Sequence, residues 1–89
     1  MILEEVKSYL KITWNSEDKD ITGYINRGKN YLQGLTGTEL DFSVEDLPKS
    51  LLMDYCRYAY NNGLEYFEEN FQSEILRLQL MEGVKTLEG

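Results

Sequence analysis

Carboxylate side chains are the residues of this sequence best suited to chemistry, and several of them are adjacent in the chain. Such pairs are Glu4–Glu5, Glu17–Asp18 and Glu68–Glu69. Two carboxylates perform acid–base catalysis when they face one partly desolvated pocket that drives their pKa values apart. Because neighbouring residues on a helix point in different directions, these pairs are better explained as solvated faces or helix ends.

Metal binding and nucleophilic catalysis lack the residues that they usually need. The chain has 0 histidines, which removes the commonest general base and transition-metal ligand. The acids Glu17, Asp18 and Asp20 lack the glycine and the distant glutamate of a calcium-binding loop. Cys56 is the single cysteine and falls on an apolar helical stripe, with no histidine to activate it. We therefore predict a protein that is not an enzyme, with no catalytic residues, no metal site and no cofactor.

The charge balance bears on nucleic-acid and membrane binding. The chain has 16 Asp and Glu against 9 scattered Lys and Arg, a formal net charge of −7. Affinity for phosphates depends on clustered basic residues, so we predict no sequence-specific nucleic-acid binding. An acidic wall would instead repel a DNA duplex that slides past it. No apolar run approaches the ~20 residues of a membrane span, and the N-terminus lacks the basic start of a signal peptide. The sequence predicts a cytoplasmic origin and no membrane contact.

The spacing of apolar residues predicts an all-α fold, a small orthogonal or antiparallel bundle of about four helices with one extended linker. One domain, residues 1–89, is expected to contain helices at about 2–10, 17–36, 48–67 and 72–84.

Individual residues predict how these helices begin, end and pack. Asn15 and Ser16 are helix-start residues, and Gly37 is a good C-terminal stop. Gly28 lies on the apolar face of the second helix, where it allows another helix to approach closely. Trp14 is expected on the edge of the core.

The third helix is expected to begin with Asp46 as its cap and Pro48 in its first turn. Asn61, Asn62 and Gly63 are poor helix formers, so this helix is expected to kink or end early there.

The last predicted helix has more apolar surface than a small monomer can cover. Its apolar residues spread over more than one face, and two tyrosines of the preceding helix lie off its buried stripe. Apolar surface left uncovered in this way marks a contact with another protein. We predict an oligomer or partner interface made of Tyr58, Tyr60, Ile75, Leu76, Leu80 and Met81.

The order of several short motifs resembles the phage head–tail connector (adaptor) protein family over roughly residues 3–82. The segment from Leu3 to Ile12 and the acid-rich turn at 15–20 are similar to the family's first elements. The Tyr-x-x-x-x-Thr-Gly helix end at 31–37 and the proline-started helix that ends in Tyr-Asn at 48–61 follow in the same order. The run Ile75 to Leu80 resembles the C-terminal Leu-Arg-Leu piece. The family often has arginine after Tyr-Asn, where this chain has Asn62.

The resemblance implies a structural subunit of a homo-oligomeric ring that docks to the portal protein and extends the DNA channel toward the tail. It implies a downstream tail-side connector protein as a further partner. It also implies assembly in the host cytoplasm and a final place at the head–tail junction of a phage or prophage virion. Two alternatives stay open. One is a small regulatory or antitoxin-like domain that acts through a heterologous partner, and the other is a DNA-binding helical domain with salt-dependent affinity.

Overall fold

The computed structural model of the protein describes residues 2–88, which form five α-helices, one 3-10 turn and no strand. The elements are α1 (Ile2–Leu10), α2 (Asp18–Thr36), α3 (Leu47–Tyr60), the 3-10 turn (Leu64–Tyr66), α4 (Phe67–Asn70) and α5 (Gln72–Glu88). The prediction of an all-α fold is confirmed. Residues 1 and 89, which the predicted domain includes, lie outside the described residues.

The connection between α1 and α2 differs from the prediction in two respects. Helix α2 begins at Asp18, and Glu17 occupies the cap position without a side-chain capping bond, so neither Asn15 nor Ser16 caps it. Trp14 is 47% exposed and does not lie against the core. Its indole Nε1–H donates a hydrogen bond to Glu17 Oε1, because a partner for this polar group is available at the surface start of α2.

Gly28 is a point of close approach between α2 and α3. A Cβ atom added there would lie 2.7 Å from Leu52 Cδ1 and 2.8 Å from Tyr55 Cδ1, which confirms the predicted role of this glycine. At the beginning of α2, Glu17 accepts a hydrogen bond from the hydroxyl of Tyr60. The start of α2 thus meets the end of α3 and its middle meets the middle of α3, so the two helices run in opposite directions.

The predicted boundaries on either side of the linker are confirmed. Gly37 has φ +70° and ends α2, with its N–H donating to the Gln33 carbonyl at 2.8 Å. Asp46 caps α3 by accepting from the Leu47 N–H at 2.8 Å, and Pro48 lies in the first turn. Between them, Phe42 is buried and fixes the linker to the core.

Helix α3 ends at Tyr60, before the predicted residue 67. Asn62 adopts φ +59°, and the Gly63 N–H turns back to donate to the Tyr58 carbonyl at 2.8 Å. The left-handed residue stops the helix at the segment whose residues form helices poorly. The 3-10 turn and α4 then return the chain to the core at Phe67, which is 2% exposed. Helix α5 extends past the predicted residue 84 to Glu88.

Candidate functional site

The inner face of α5 joins the core. Ile75 and Leu78 are buried, and Met81 is half-buried against the same cluster. Ile75 therefore lies inside the subunit and not on an outer surface, contrary to the prediction. The reason is that the stripe formed by Ile75 and Leu78 is the one that turns toward α2 and α3.

The outer face of α5 is apolar and uncovered. Leu76, Leu80 and Val84 are 56%, 62% and 52% exposed, and their spacing of four residues aligns them along one side of the helix. We call these three residues the α5 outer row. Leu76 and Leu80 were predicted as interface residues from the sequence. Val84 was not included in that prediction, although its spacing of four residues from Leu80 is the sequence signal that assigns it to the same side of the helix.

Arg77 is the cation beside the α5 outer row. It lies three residues before Leu80, on the same side of the helix, and its side chain is exposed. Among the side chains that the structure describes, it has no hydrogen bond, ion pair or aromatic contact. The outer face of α5 thus presents an apolar row with one unpaired positive charge.

Polar contacts hold α5 against the rest of the subunit. Gln79 Nε2 donates to the Leu35 carbonyl at 3.0 Å. Glu82 is 6% exposed and accepts from Thr38 Oγ1 at 3.2 Å and from Lys85 Nζ at 3.0 Å. These bonds connect α5 to the end of α2 and to the linker, so its position on the bundle is defined.

The two tyrosines predicted at the interface are half-buried and have partners within the subunit. The ring of Tyr58 packs edge-on against Phe67 and Phe71, at centroid distances of 5.7 and 5.5 Å. Its hydroxyl accepts from Asn70 Nδ2 at 2.9 Å. The hydroxyl of Tyr60 donates to Glu17 at 2.9 Å, and this bond raises the pKa of Tyr60. Both side chains stabilise the subunit itself.

A groove between α1 and α3, of about 570 Å³, is the second surface of interest. Its lining combines small, apolar and charged side chains: Glu5, Ser8, Tyr9, Glu45, Lys49, Ser50, Met53 and Asp54. We call it the α1–α3 groove. Three carboxylates and one ammonium group contribute to it, so it is acidic.

Ion pairs and hydrogen bonds organise the α1–α3 groove. The buried Lys49 ammonium contacts both Glu45 and Glu5. Hydrogen bonds to Glu45 and then to Glu5 raise the pKa of Lys49, and the bond to Lys49 lowers the pKa of Glu5. The Tyr9 hydroxyl donates to Asp54, and this bond raises the pKa of Tyr9. These contacts connect side chains of α1 to side chains of α3 across the groove.

The chemically reactive side chains among the described residues are the Cys56 thiol and the carboxylates. Cys56 is fully buried, and burial raises its pKa to about 12, so the thiol stays protonated at neutral pH. Among the described residues, no three Cys, Asp or Glu side chains form a group able to hold a metal ion. No helix within residues 2–88 combines the length and hydrophobicity of a membrane span.

Comparison with known proteins agrees with the order of motifs in the sequence. The sequence model of phage gp6-like head–tail connector proteins matches residues 1–80 of the 89-residue chain. No curated protein and no solved structure gives a significant match. The matched segment includes α1 to α4 and continues into α5 as far as Leu80. The chain therefore belongs to the phage gp6-like head–tail connector protein family.

Proposed function

We propose that this protein is a subunit of a homo-oligomeric ring at the head–tail junction of a tailed phage or prophage. The ring docks to the portal protein, extends the DNA channel and offers its far side to the next tail-side connector protein. Subunits assemble in the host cytoplasm and end in the virion. Membership of the connector family supports this role. The α5 outer row, which the bundle leaves uncovered, is the observation that carries the ring.

The α5 outer row provides part of the free energy of association. Full burial of a Leu or Val side chain contributes roughly 1.5–3 kcal/mol, so each of these half-exposed side chains contributes about 1 kcal/mol on contact. The sum of about 3 kcal/mol is below the ~4–15 kcal/mol that association costs. One such contact therefore needs further polar contacts or a second interface. A closed ring gives every subunit two interfaces, which favours rings over isolated dimers.

The negative charge agrees with a channel for DNA. With a net charge of −7 per subunit, a ring carries many carboxylates and few lysine and arginine side chains that could bind DNA phosphates. DNA that passes through such a ring is repelled from its wall and does not adhere to it. A connector that must release DNA at infection benefits from this property.

The test is the solution mass of the purified protein by light scattering across concentration, alone and with its cognate portal protein. We expect a ring, or co-migration with portal. Leu80→Glu places a charge in the α5 outer row and should prevent assembly while the circular dichroism of the subunit stays helical. Tyr66→Glu is the matched control, because Tyr66 is a similarly exposed apolar side chain, 57% exposed, outside α5.

Two results would count against the proposal. A protein that stays monomeric at all concentrations and ignores portal has no connector assembly of this kind. Normal assembly of Leu80→Glu would show that the α5 outer row is not the contact.

A further inference from the structure

We infer that the α5 outer row of one subunit packs into the α1–α3 groove of the next copy of this chain. This inference rests on the proposed ring and adds the identity of the two surfaces that meet in it. The occupant of the groove is a second copy, and three properties of the described residues support this pairing.

The first property is charge. Glu5, Glu45 and Asp54 line the groove together with one cation, Lys49. Lys49 is paired with Glu5 and Glu45, and Asp54 is paired with Arg57, so three carboxylates face two cations. The Glu45 side chain is 88% exposed, so its carboxylate can accept a further partner. The guanidinium of Arg77, beside the α5 outer row, has no partner among the described side chains. Placing the row in the groove brings this cation to the acidic lining, and complementary charge of this kind favours the correct partner and orientation.

The second property is shape. Ser8 on α1 and Ser50 on α3 are small residues that line the groove, so side chains of another helix have room between the two helices. Met53 and the ring of Tyr9 add apolar surface, and a methionine adapts readily to the shape of its partner. A row of side chains spaced by four residues packs between two helices as a ridge fits a groove.

The third property is the poorer fit of two other candidate contacts. A smaller cavity of about 200 Å³ beside Tyr66 is lined by Arg57, whose side chain is 43% exposed. Arg57 carries the same positive charge as Arg77, and its ion pair with Asp54 leaves no carboxylate in this cavity's lining for Arg77 to contact. A contact between two α5 outer rows would leave both Arg77 and the acidic groove without the partner of opposite charge that the other offers.

The pairing of two different surfaces explains why a ring forms. Residues of the row and of the groove belong to separate parts of the fold, α5 on one side and α1, α3 and the linker residue Glu45 on the other. A contact of this heterologous type repeats from subunit to subunit and closes into a ring when the rotation permits.

Chemical crosslinking tests the contact directly, since the only native cysteine, Cys56, is buried. Leu80→Cys is combined in one chain with Ser8→Cys or, separately, with Ser50→Cys, and the assembled protein is treated with a short bismaleimide. Both groove positions are used so that one of them suits the register of the contact. We expect covalent products larger than dimers. A mixture of the single variants should give only dimers that contain one chain of each kind.

Control variants separate the inference from its rivals and from the proposed function. Leu80→Cys with Tyr66→Cys should give no intersubunit product. Dimers from Leu80→Cys alone would show that two α5 outer rows meet, and products with Tyr66→Cys would place the contact at the smaller cavity. Either result overturns the inference, as does the absence of groove products in a protein that light scattering shows to be a ring. That last result leaves the ring itself standing, whereas a monomeric wild type overturns both.

Discussion

Replacing Gly28 with alanine tests the packing that holds α2 against α3. The added Cβ would lie 2.7 Å from Leu52 Cδ1 and 2.8 Å from Tyr55 Cδ1, closer than carbon atoms approach without a shift. Leu52 is fully buried and Tyr55 is 9% exposed, so both neighbours are surrounded and can move only if the helices separate. Gly28→Ala should therefore destabilise the subunit.

The magnitude follows from two opposing effects. Overpacking of a close-packed core costs roughly 1–3 kcal/mol. Alanine is better than glycine inside a helix by about 1 kcal/mol. The free energy of unfolding should fall by about 0–2 kcal/mol, which corresponds to a decrease in Tm of up to roughly 15 °C for a domain of this size.

Gly34→Ala is the matched control in the same helix. Its Cβ would have no atom within 4 Å, so only the gain in helix propensity remains, and its free energy of unfolding should rise by about 0.5–1 kcal/mol. Urea unfolding followed by circular dichroism, at a concentration low enough to avoid assembly, measures both variants. Equal stabilisation by the two substitutions would refute the close approach at Gly28.

Two further predictions concern titratable groups. Cys56 should not react with a thiol reagent at about pH 8 in the folded protein and should react fully in denaturant. The reason is that burial raises its pKa to about 12, and the thiolate is the reactive form. Rapid labelling of the folded protein would contradict this prediction. Lys49→Met should lower the free energy of unfolding at neutral pH. Because the pKa of Glu5 is lowered in the folded protein, its ion pair with Lys49 stabilises the protein at pH values above 4.5, the ordinary pKa of the group. This stabilisation is lost as the pH falls through the lower pKa that Glu5 has in the folded state. The difference in free energy of unfolding between wild type and Lys49→Met, measured by urea unfolding, should therefore become smaller as the pH is lowered from about 7 to about 3. A difference that does not change with pH would exclude this role for Glu5.

The parts of the fold that the sequence predicts well depend on short-range chemistry. Gly37 is found in the left-handed conformation that ends a helix, and Asp46 with Pro48 begins one, because such signals act through the backbone of adjacent residues. Gly28 was identifiable because a glycine in an apolar stripe has no side chain to bury and leaves space for a neighbouring helix. These residues determine where helices begin, end and approach each other.

The parts that the sequence does not predict depend on tertiary contacts. Helix α5 has two apolar stripes, and periodicity alone does not show which one turns inward. The aromatic cluster around Phe67 and Phe71 determines where the chain re-enters the bundle, and Ile75 follows into the core. Trp14 has a large apolar side chain of the kind expected in a core, but its indole N–H donates to Glu17 at the surface. Of the residues predicted at the interface, Ile75 therefore turns toward the core, and the interface itself stays a prediction.

The buried carboxylate of Glu82 limits rotation of α5 about its own axis. A rotation of α5 by one residue, about 100°, would move Glu82 away from Thr38 and break their hydrogen bond. If the carboxylate stayed buried, the loss of that hydrogen bond would be costly for a charged group. The direction in which Leu76 and Leu80 point is thus set when the subunit folds. The conformational entropy of orienting this helix is lost on folding, so in the proposed ring the α5 outer row would meet its neighbour as a preorganised surface.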